Sequence, residues 1–295
     1  MERINNTTLK KYTGLEAEVQ FECSSFGMAN TKNDNSLSFI DTQRYLHEIV
    51  ENKNIQVVIS THEFASLLKS KLVIQSNDPR FDYYSFLNGY SINNRIITPS
   101  IINPTAKIHP RAFVAEHNVI IGENTIVGAN AVILEDVEIG ANCEIYPGAV
   151  LGSIGFEYKR TSKNLLQVYH DGKVIIGNNV VVGSNTAIDK GFSFNQTIIG
   201  DNVKMDNLVH IAHGVKIEEN VLVVANAMIA GSVEIAKESW VGPSSSVANG
   251  LTVGKNSFIT LGSVVTKNVE DNGKVSGNFA IPHNRFLSNY KKSIS

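Results

Sequence analysis

The stretch Ile199–Val223, IGDNVKMDNLVHIAHGVKIEENVLV, places an aliphatic side chain or a methionine at every sixth position. A period of six belongs neither to an α-helix nor to a single β-strand. It fits a chain that alternates short strands with tight corners, and such units stack into a parallel β-helix. The run is unbroken and consists of Ile199, Met205, Ile211, Ile217, Val223, Ile229, Ile235, Val241, Val247, Val253, Ile259 and Val265.

The same period occurs earlier in the chain, and a shortened repeat around Phe194 joins the earlier blocks to the long run. Small or β-branched residues four places after most repeat positions suit a narrow inward corner. In hexapeptide-repeat proteins three repeats form one triangular coil. We therefore expect about eight coils and, at about 4.8 Å per stacked strand, a prism about 38 Å long. The earlier positions are Ile102, Ile108, Val114, Ile121, Val127, Ile133, Ile139, Ile145, Leu151, Ile176, Val182 and Ile188.

The rest of the sequence predicts the other structural units of the chain, the kind of partner and the cellular location. The repeat covers residues 101–270, so we expect a separate unit at 1–100 and a C-terminal tail at 271–295. A net charge of −2 without a basic cluster argues against nucleic acid as the partner. Cys23 and Cys143 fall in different units, so neither a disulfide nor a metal pair is expected. The lack of a long apolar run or an apolar signal core predicts no membrane span and a cytoplasmic location.

The first unit has the mixed pattern of an α/β domain. Asp41 or Thr42 is a candidate cap for its first helix, and the pair Asp78-Pro79 opens its last one. The predicted elements are a helix at 38–52, a strand at 55–60, a helix at 62–71, a strand at 72–75, a helix at 78–88 and a linker at 89–99.

Two departures from the repeat indicate where function lies. Residues 152–173, the flap, leave the coil, and long excursions from compact repeats are usually functional or disordered. The flap carries apolar residues, among them Phe156 and Tyr158, so we expect it to be ordered. The second departure is the pair His210 and His213, which flank the inward-facing Ile211 and take outward-facing positions.

The histidine pair alone leaves three interpretations open. Two imidazoles are ordinary on a polar outer face. A zinc site would need three imidazoles, or two with a carboxylate, and no other histidine of the chain repeats the spacing. General-base catalysis needs one imidazole beside a reacting amine or hydroxyl. General-base catalysis is the simplest of the three interpretations, and we expect no metal site.

Five segments resemble the UDP-3-O-acylglucosamine N-acyltransferases of lipid A biosynthesis. The resemblance implies a left-handed coil, a homotrimer with active sites between neighbouring prisms, and acyl transfer from a thioester to a sugar amine. The segments are SLSFIDTQRYL (36–46), GSIGF (152–156), NTAIDKG (185–191), TIIGDNVKMDNLVHIAHGVKI (197–217) and MIAGS (228–232).

The same resemblance implies roles for individual residues. His213 would be the general base, and the backbone N–H of Gly231 would bind the developing oxyanion. The eighteen residues between them are one coil, which stacks the two positions; Gly231 can also be a plain turn glycine. Phe39 and Tyr45 would sandwich a pyrimidine, or belong to the core, with Thr42 beside them. The remaining expected substrate contacts are Asn207, His210, Phe156 and Tyr158.

Three departures from that family's pattern narrow the prediction. Val247–Leu251 lacks a histidine that the family has there, Thr42 stands in place of an asparagine, and the family's longer helical tail does not follow residues 278–292. These differences favour acyl-CoA as the donor and the amine of a UDP- or dTDP-linked amino sugar as the acceptor. The lipid A reaction with acyl carrier protein is the alternative. A non-catalytic binding or scaffold protein is the alternative from another class.

Overall fold

The computed structural model describes residues 2–277 and 282–294. Residues 101–277 form a left-handed parallel β-helix, and a small α/β domain precedes it, as the sequence predicts. Short strands stack in register, so that Ile121, for example, lies between Ile102 and Ile139. The inward aliphatic residues from Val119 onward are buried in one continuous core. Burial of this apolar row stabilises the prism.

Three parallel sheets form the three faces of the prism. The first face contains Ile101–Ile102, Val119–Ile121, Val137–Ile139, Val174–Ile176, Thr197–Ile199, Lys216–Ile217, Glu234–Ile235 and Thr252–Val253. The second face contains Lys107–Ile108, Ile126–Val127, Glu144–Ile145, Val181–Val182, Lys204–Met205, Leu222–Val223, Trp240–Val241, Phe258–Ile259 and Lys274–Val275. The third face contains Phe113–Val114, Val132–Ile133, Val150–Ile154, Ala187–Lys190, His210–Ile211, Met228–Ile229, Ser246–Val247 and Val264–Val265.

A second sequence pattern, a recurring asparagine, marks the corners of the coil. Asn124, Asn130, Asn220 and Asn226 have φ values of 55–60°, and each lies three places after an inward aliphatic residue. Asparagine tolerates this left-handed backbone better than most residues, which explains its recurrence at the corners. The small residues predicted to face inward are also buried, Cys143 among them. Buried hydroxyls at such positions bond to the backbone of the next coil, as Ser239 Oγ does to the Gly254 carbonyl at 2.9 Å.

The shortened repeat predicted around Phe194 is wrong. The strand Ala187–Lys190 on the third face is followed by an irregular loop, and the next strand is Thr197–Ile199 on the first face. Phe194 has a φ of 59° and packs on the N-terminal domain, with its ring centroid 5.9 Å from that of Phe26 and 6.4 Å from that of Tyr90. An aromatic ring suits that interdomain contact better than the narrow interior of a coil.

The N-terminal domain is built on a parallel sheet. The strands Ile4–Asn5 and Glu22–Cys23 form a separate antiparallel pair. The sheet order is Ser25–Phe26, Ser36–Ile40, Ile55–Ser60 and Leu72–Gln75. The helices are Asn6–Thr13, Leu46–Glu51, His62–Ala65 and Pro79–Asn93, with a 3₁₀ turn at Gln43–Tyr45.

Two predicted helices and a predicted cap of this domain need correction. The helix predicted at 38–52 is wrong in its first part, because Ser36–Ile40 is an inner strand of the sheet. An inner parallel strand is buried on both faces and lacks alternation, so its apolar spacing resembled a helix. Thr42 makes no capping hydrogen bond, and Asp41 instead pairs with Arg80 at 2.7 Å. The helix predicted at 62–71 is limited to His62–Ala65.

The predicted linker at 89–99 begins inside a helix. Pro79–Asn93 continues through Gly89, where a Cβ would lie 2.5 Å from Cδ1 of Tyr12. Gly89 is therefore a packing residue that lets the first helix of the domain approach, and not a breaker. The tail helix His283–Ile294 closes the chain, while residues 278–281 and 295 of the predicted tail lie outside the described residues. Among residues 2–277 and 282–294, none of the helices is both long and apolar enough to cross a membrane.

Candidate active site

The flap is ordered by its contacts with the N-terminal domain. Its strands Tyr158–Arg160 and Leu165–Gln167 pair antiparallel. Val168 is fully buried in the core of the N-terminal domain. The N–H of Tyr169 donates to Asn88 Oδ1 at 2.7 Å, and the N–H of Ser162 donates to Asp78 Oδ2 at 2.7 Å. The flap therefore ties the domain to the prism at the level of His213.

His213 lies in the corner between the third and first faces, directly after His210–Ile211. Two glycines enclose its ring. A Cβ at Gly231 would lie 2.3 Å from the ring Cε1, and a Cβ at Gly155 in the flap would lie 3.0 Å from the ring Cδ2. The ring centroid is also 5.1 Å from that of Phe192. A side chain at Gly231 would force the imidazole to move, and one at Gly155 would make a tight contact with it.

Gly231 lies one coil beyond His213, at the same corner. The coils are joined there by the Ser232 N–H, which donates to the His213 carbonyl at 3.0 Å. Within the described residues the Gly231 N–H itself donates to no acceptor. The corner thus presents an imidazole and an uncommitted backbone donor side by side, which is the pairing that acyl transfer requires.

A carboxylate from the flap faces His213. Glu157 Oε2 is 3.2 Å from His213 Nε2, and both side chains are about 15% exposed. The other carboxylate oxygen of Glu157 pairs with Lys159. Burial alone would raise the pKa of Glu157, but the hydrogen bond with His213 and the charge of Lys159 outweigh it and bring that pKa below its usual range. Glu157 is therefore ionised near neutral pH.

His170 forms the back of the site. It is buried, its Nδ1 lies 3.0 Å from the Val168 carbonyl, and its ring centroid is 5.9 Å from that of His213. Burial lowers the pKa of His170 to about 4, so this imidazole is neutral at physiological pH. The sequence offered no signal for His170 or Glu157, because neither lies on the repeat and contact with His213 depends on how the flap folds.

His210 and Asn207 occupy different surroundings. His210 is 44% exposed on the third face, with Nε2 at 3.7 Å from Asp189 Oδ2. Asp189 is itself buried and accepts a hydrogen bond from Ser153 Oγ at 2.5 Å. Asn207 lies in the corner at the other end of that strand, where its Oδ1 accepts the Ser184 N–H at 2.7 Å. His210 therefore faces the same outer surface as His213, whereas the Asn207 side chain is engaged in joining two coils.

The aromatic residues predicted to contact substrate lie in the flap and in the N-terminal domain. Phe156 is 89% exposed, and its ring centroid is 5.0 Å from that of Tyr158. In the N-terminal domain Phe39 is half-buried and packs on Tyr83 at 4.8 Å between ring centroids, whereas Tyr45 is 43% exposed. Thr42 is exposed as well. The half-buried Phe39 therefore also serves the domain core. The exposed Tyr45 ring has the Arg44 guanidinium 5.2 Å from its centroid and remains open to a ligand on its exposed surface.

A separate cavity of about 430 Å³ lies between the end of helix Pro79–Asn93 and the first face, lined in part by Arg95, Tyr169 and Asp171. Its lining does not include His213. Asp171 accepts hydrogen bonds from Ser91 Oγ at 2.9 Å and from the Phe194 N–H at 3.2 Å. Burial raises the pKa of Asp171 to about 6.

In the part of the chain that the structure describes, no group of three histidine, cysteine, aspartate or glutamate side chains is arranged to hold a metal.

Comparisons with known proteins agree with this fold. The model of the bacterial transferase hexapeptide, six repeats, matches residues 118–153 and 196–231. The solved structure of UDP-N-acetylglucosamine acyltransferase from Campylobacter jejuni superimposes with a TM-score of 0.52 at 26% identity, covering 62% of this chain and 72% of that one. The chain is therefore similar, in its repeats and its fold, to the class of hexapeptide-repeat proteins.

Within that class the chain is similar to UDP-3-O-acylglucosamine N-acyltransferases, which confirms the resemblance seen in the sequence. The enzyme named number 2 of Legionella pneumophila (strain Paris) is 45% identical over 87 residues, or 30% of this chain and 25% of that protein. The enzyme of Helicobacter pylori (strain ATCC 700392 / 26695) is 29% identical over 238 residues, or 71% of this chain and 69% of that protein. The chain thus spans about a quarter of the first relative and about two thirds of the second.

Proposed function

We propose that this chain is an N-acyltransferase that moves an acyl group from a thioester to the amine of a nucleotide-linked amino sugar. The observation that carries the proposal is the corner in which the His213 imidazole packs against Gly231, whose N–H has no acceptor within the described residues. The relatives, which are named N-acyltransferases, support the same reaction.

In this mechanism the neutral amine of the sugar attacks the thioester carbonyl and forms a C–N bond. His213 takes the proton that the nitrogen loses, and the Gly231 N–H donates to the oxyanion of the tetrahedral intermediate. The C–S bond then breaks, the carbonyl re-forms, and the thiolate leaves and takes up a proton. The products are an amide and a free thiol.

The acceptor's nucleotide is assigned to the N-terminal domain. Tyr45 is exposed there, close in sequence to the half-buried Phe39, and two aromatic rings are suited to stacking on a pyrimidine. Thr42 lacks the paired donor and acceptor of an amide, so strict selection of uracil is not expected. His210, Phe156 and Tyr158 are the further candidates for contact with sugar or acyl chain.

The names of the relatives favour a UDP-3-O-acylglucosamine acceptor. With that acceptor we propose acyl carrier protein as the donor's carrier, as in the lipid A reaction that the sequence resemblance implies. A second candidate is transfer from acyl-CoA to another UDP- or dTDP-linked amino sugar. The observations that favour it are Thr42 and the corner after Ser246–Val247, where Ala248-Asn249-Gly250 provides no imidazole beside the site.

We further propose a homotrimer with active sites between prisms. The exposed Phe156 ring and the outward His210 lie on a surface open to water in a single chain, and a neighbouring prism would supply a second wall.

The testing experiment measures thiol release from acyl-CoA and from acyl-loaded carrier protein across a panel of UDP- and dTDP-linked amino sugars. Activity only with carrier protein and UDP-3-O-acylglucosamine establishes the first candidate. Turnover with short acyl-CoA and no carrier protein establishes the second. No transfer with any pair, together with tight nucleotide-sugar binding, would refute catalysis and support a binding protein.

A further inference from the structure

We infer that Glu157 is a positioning residue for His213, an inference that rests on the proposed acyl transfer. The flap, which lies outside the six-residue repeat, delivers this carboxylate to 3.2 Å from His213 Nε2. Both side chains are largely shielded from water, so the contact is stronger than an exposed ion pair would be.

The contact selects one tautomer of the neutral imidazole. An ionised carboxylate only accepts hydrogen bonds, so His213 Nε2 carries the hydrogen and Nδ1 carries the lone pair. His213 Nδ1 is buried and has no hydrogen-bond partner within the described residues. It lies next to Gly231, where a Cβ would be 2.9 Å away. The uncommitted lone pair therefore lies beside the donor proposed for the oxyanion.

The charge of Glu157 also compensates the proton that His213 takes up. An imidazolium next to a carboxylate is stabilised relative to one that is not. Other charged or titratable groups near the pair include Lys159, Tyr84, the neutral His170 and the buried Asp189. The Lys159 ammonium lies 5.0 Å from the ring centroid of Tyr84, so the carboxylate is held between the domain's aromatic cluster and the imidazole.

The position of Glu157 depends on the N-terminal domain. Its carbonyl accepts the Val168 N–H at 3.0 Å, and Val168 is buried in the domain core. The flap is bound again through Asn88 and Asp78, which lie on or beside the helix Pro79–Asn93. A shift of that helix would move the carboxylate relative to His213, so the nucleotide-side domain contributes to the geometry of the base.

The kinetic test combines Glu157→Gln with His213→Ala in a double-mutant cycle, and thermal melting checks folding. Because positioning partners of this kind typically contribute about 10- to 100-fold, Glu157→Gln should lower kcat by that order and leave KM within a few fold. In the His213→Ala background it should cause no further loss, because Glu157 acts through His213. Glu123→Gln, an exposed carboxylate on the prism, is the control and should have no effect.

Two kinetic outcomes would overturn the inference. A rise in KM at unchanged kcat would mean that Glu157 binds the acceptor directly. An equal loss with and without His213 would mean that the two residues act independently.

A second measurement does not depend on activity. Carbethoxylation of the histidines by diethyl pyrocarbonate, followed by mass spectrometry, should proceed several-fold faster at His213 in Glu157→Ala than in wild type, with His210 unchanged as the internal reference. Equal rates at His213 in both proteins would refute the pairing. Glu157-dependent protection in a protein that transfers no acyl group would retain the pairing and reject the proposed function.

Discussion

Replacing Gly231 by alanine tests the contact that defines the active-site corner. The added Cβ would lie 2.3, 2.7 and 2.9 Å from Cε1, Nε2 and Nδ1 of His213, where ordinary contact begins at 3.4 Å. The imidazole has to move by about 1 Å to relieve the clash. A displacement of that size at a catalytic group can cost about 10²-fold in rate. We therefore expect kcat to fall by about 10²-fold and KM for the nucleotide sugar to change little.

The fold should survive this substitution. Gly231 does not need the left-handed backbone that alanine resists, so the strain is steric and is borne by a side chain. Overpacking of this kind costs about 1–3 kcal/mol of unfolding free energy. Stopped-time thiol-release assays at several sugar concentrations separate kcat from KM, and Gly277→Ala is the control because a Cβ there meets nothing within 4 Å. A folded Gly231→Ala enzyme with kcat within twofold of wild type would refute the arrangement of base and oxyanion donor.

Further predictions concern the domain, the cavity and the assembly. Tyr45→Ala should weaken nucleotide binding by about 1–3 kcal/mol in calorimetry with little loss of stability, because Tyr45 is 43% exposed; unchanged affinity would remove it from the site. Asp171 has a pKa raised to about 6 in the folded chain, so it stabilises the fold most below pH of about 4 and that contribution is lost as the pH rises to about 6. The free energy of unfolding, measured by chemical denaturation, should show that pH dependence in the wild type. The same pH dependence in Asp171→Asn would mean that another group causes it. Light scattering should give a trimer, and an active monomer near 32.2 kDa would contradict the shared-site arrangement.

The fold was predictable because its signal is repeated. Inward residues such as Ile211 and Val241 recur at the same spacing, so misassigning a residue at one position does not change the predicted fold. Asn220 and Asn226 carried a further signal in their spacing, which the backbone φ values explain. The flanking regions lack such redundancy. The strand Ser36–Ile40 resembled a helix because an inner parallel strand has no alternation.

The candidate site was predictable only where it lies on the repeat. His213 and Gly231 are one coil apart in sequence, and stacking brings them together. Glu157 and His170 reach the same corner through the fold of the flap, which depends on contacts with a helix more than 60 residues away in sequence. The sequence positions of Glu157 and His170 therefore do not predict these contacts.

The central claim is that His213 is the base of an N-acyl transfer. The most direct measurement is the pH dependence of kcat/KM for wild type and His213→Ala. A general base contributes about 10²- to 10⁴-fold, so the variant should lose activity by that order with KM nearly unchanged. The wild-type profile should fall on its acidic side as the base becomes protonated, and that limb should be absent from the variant. Equal rates and superimposable profiles would contradict the account.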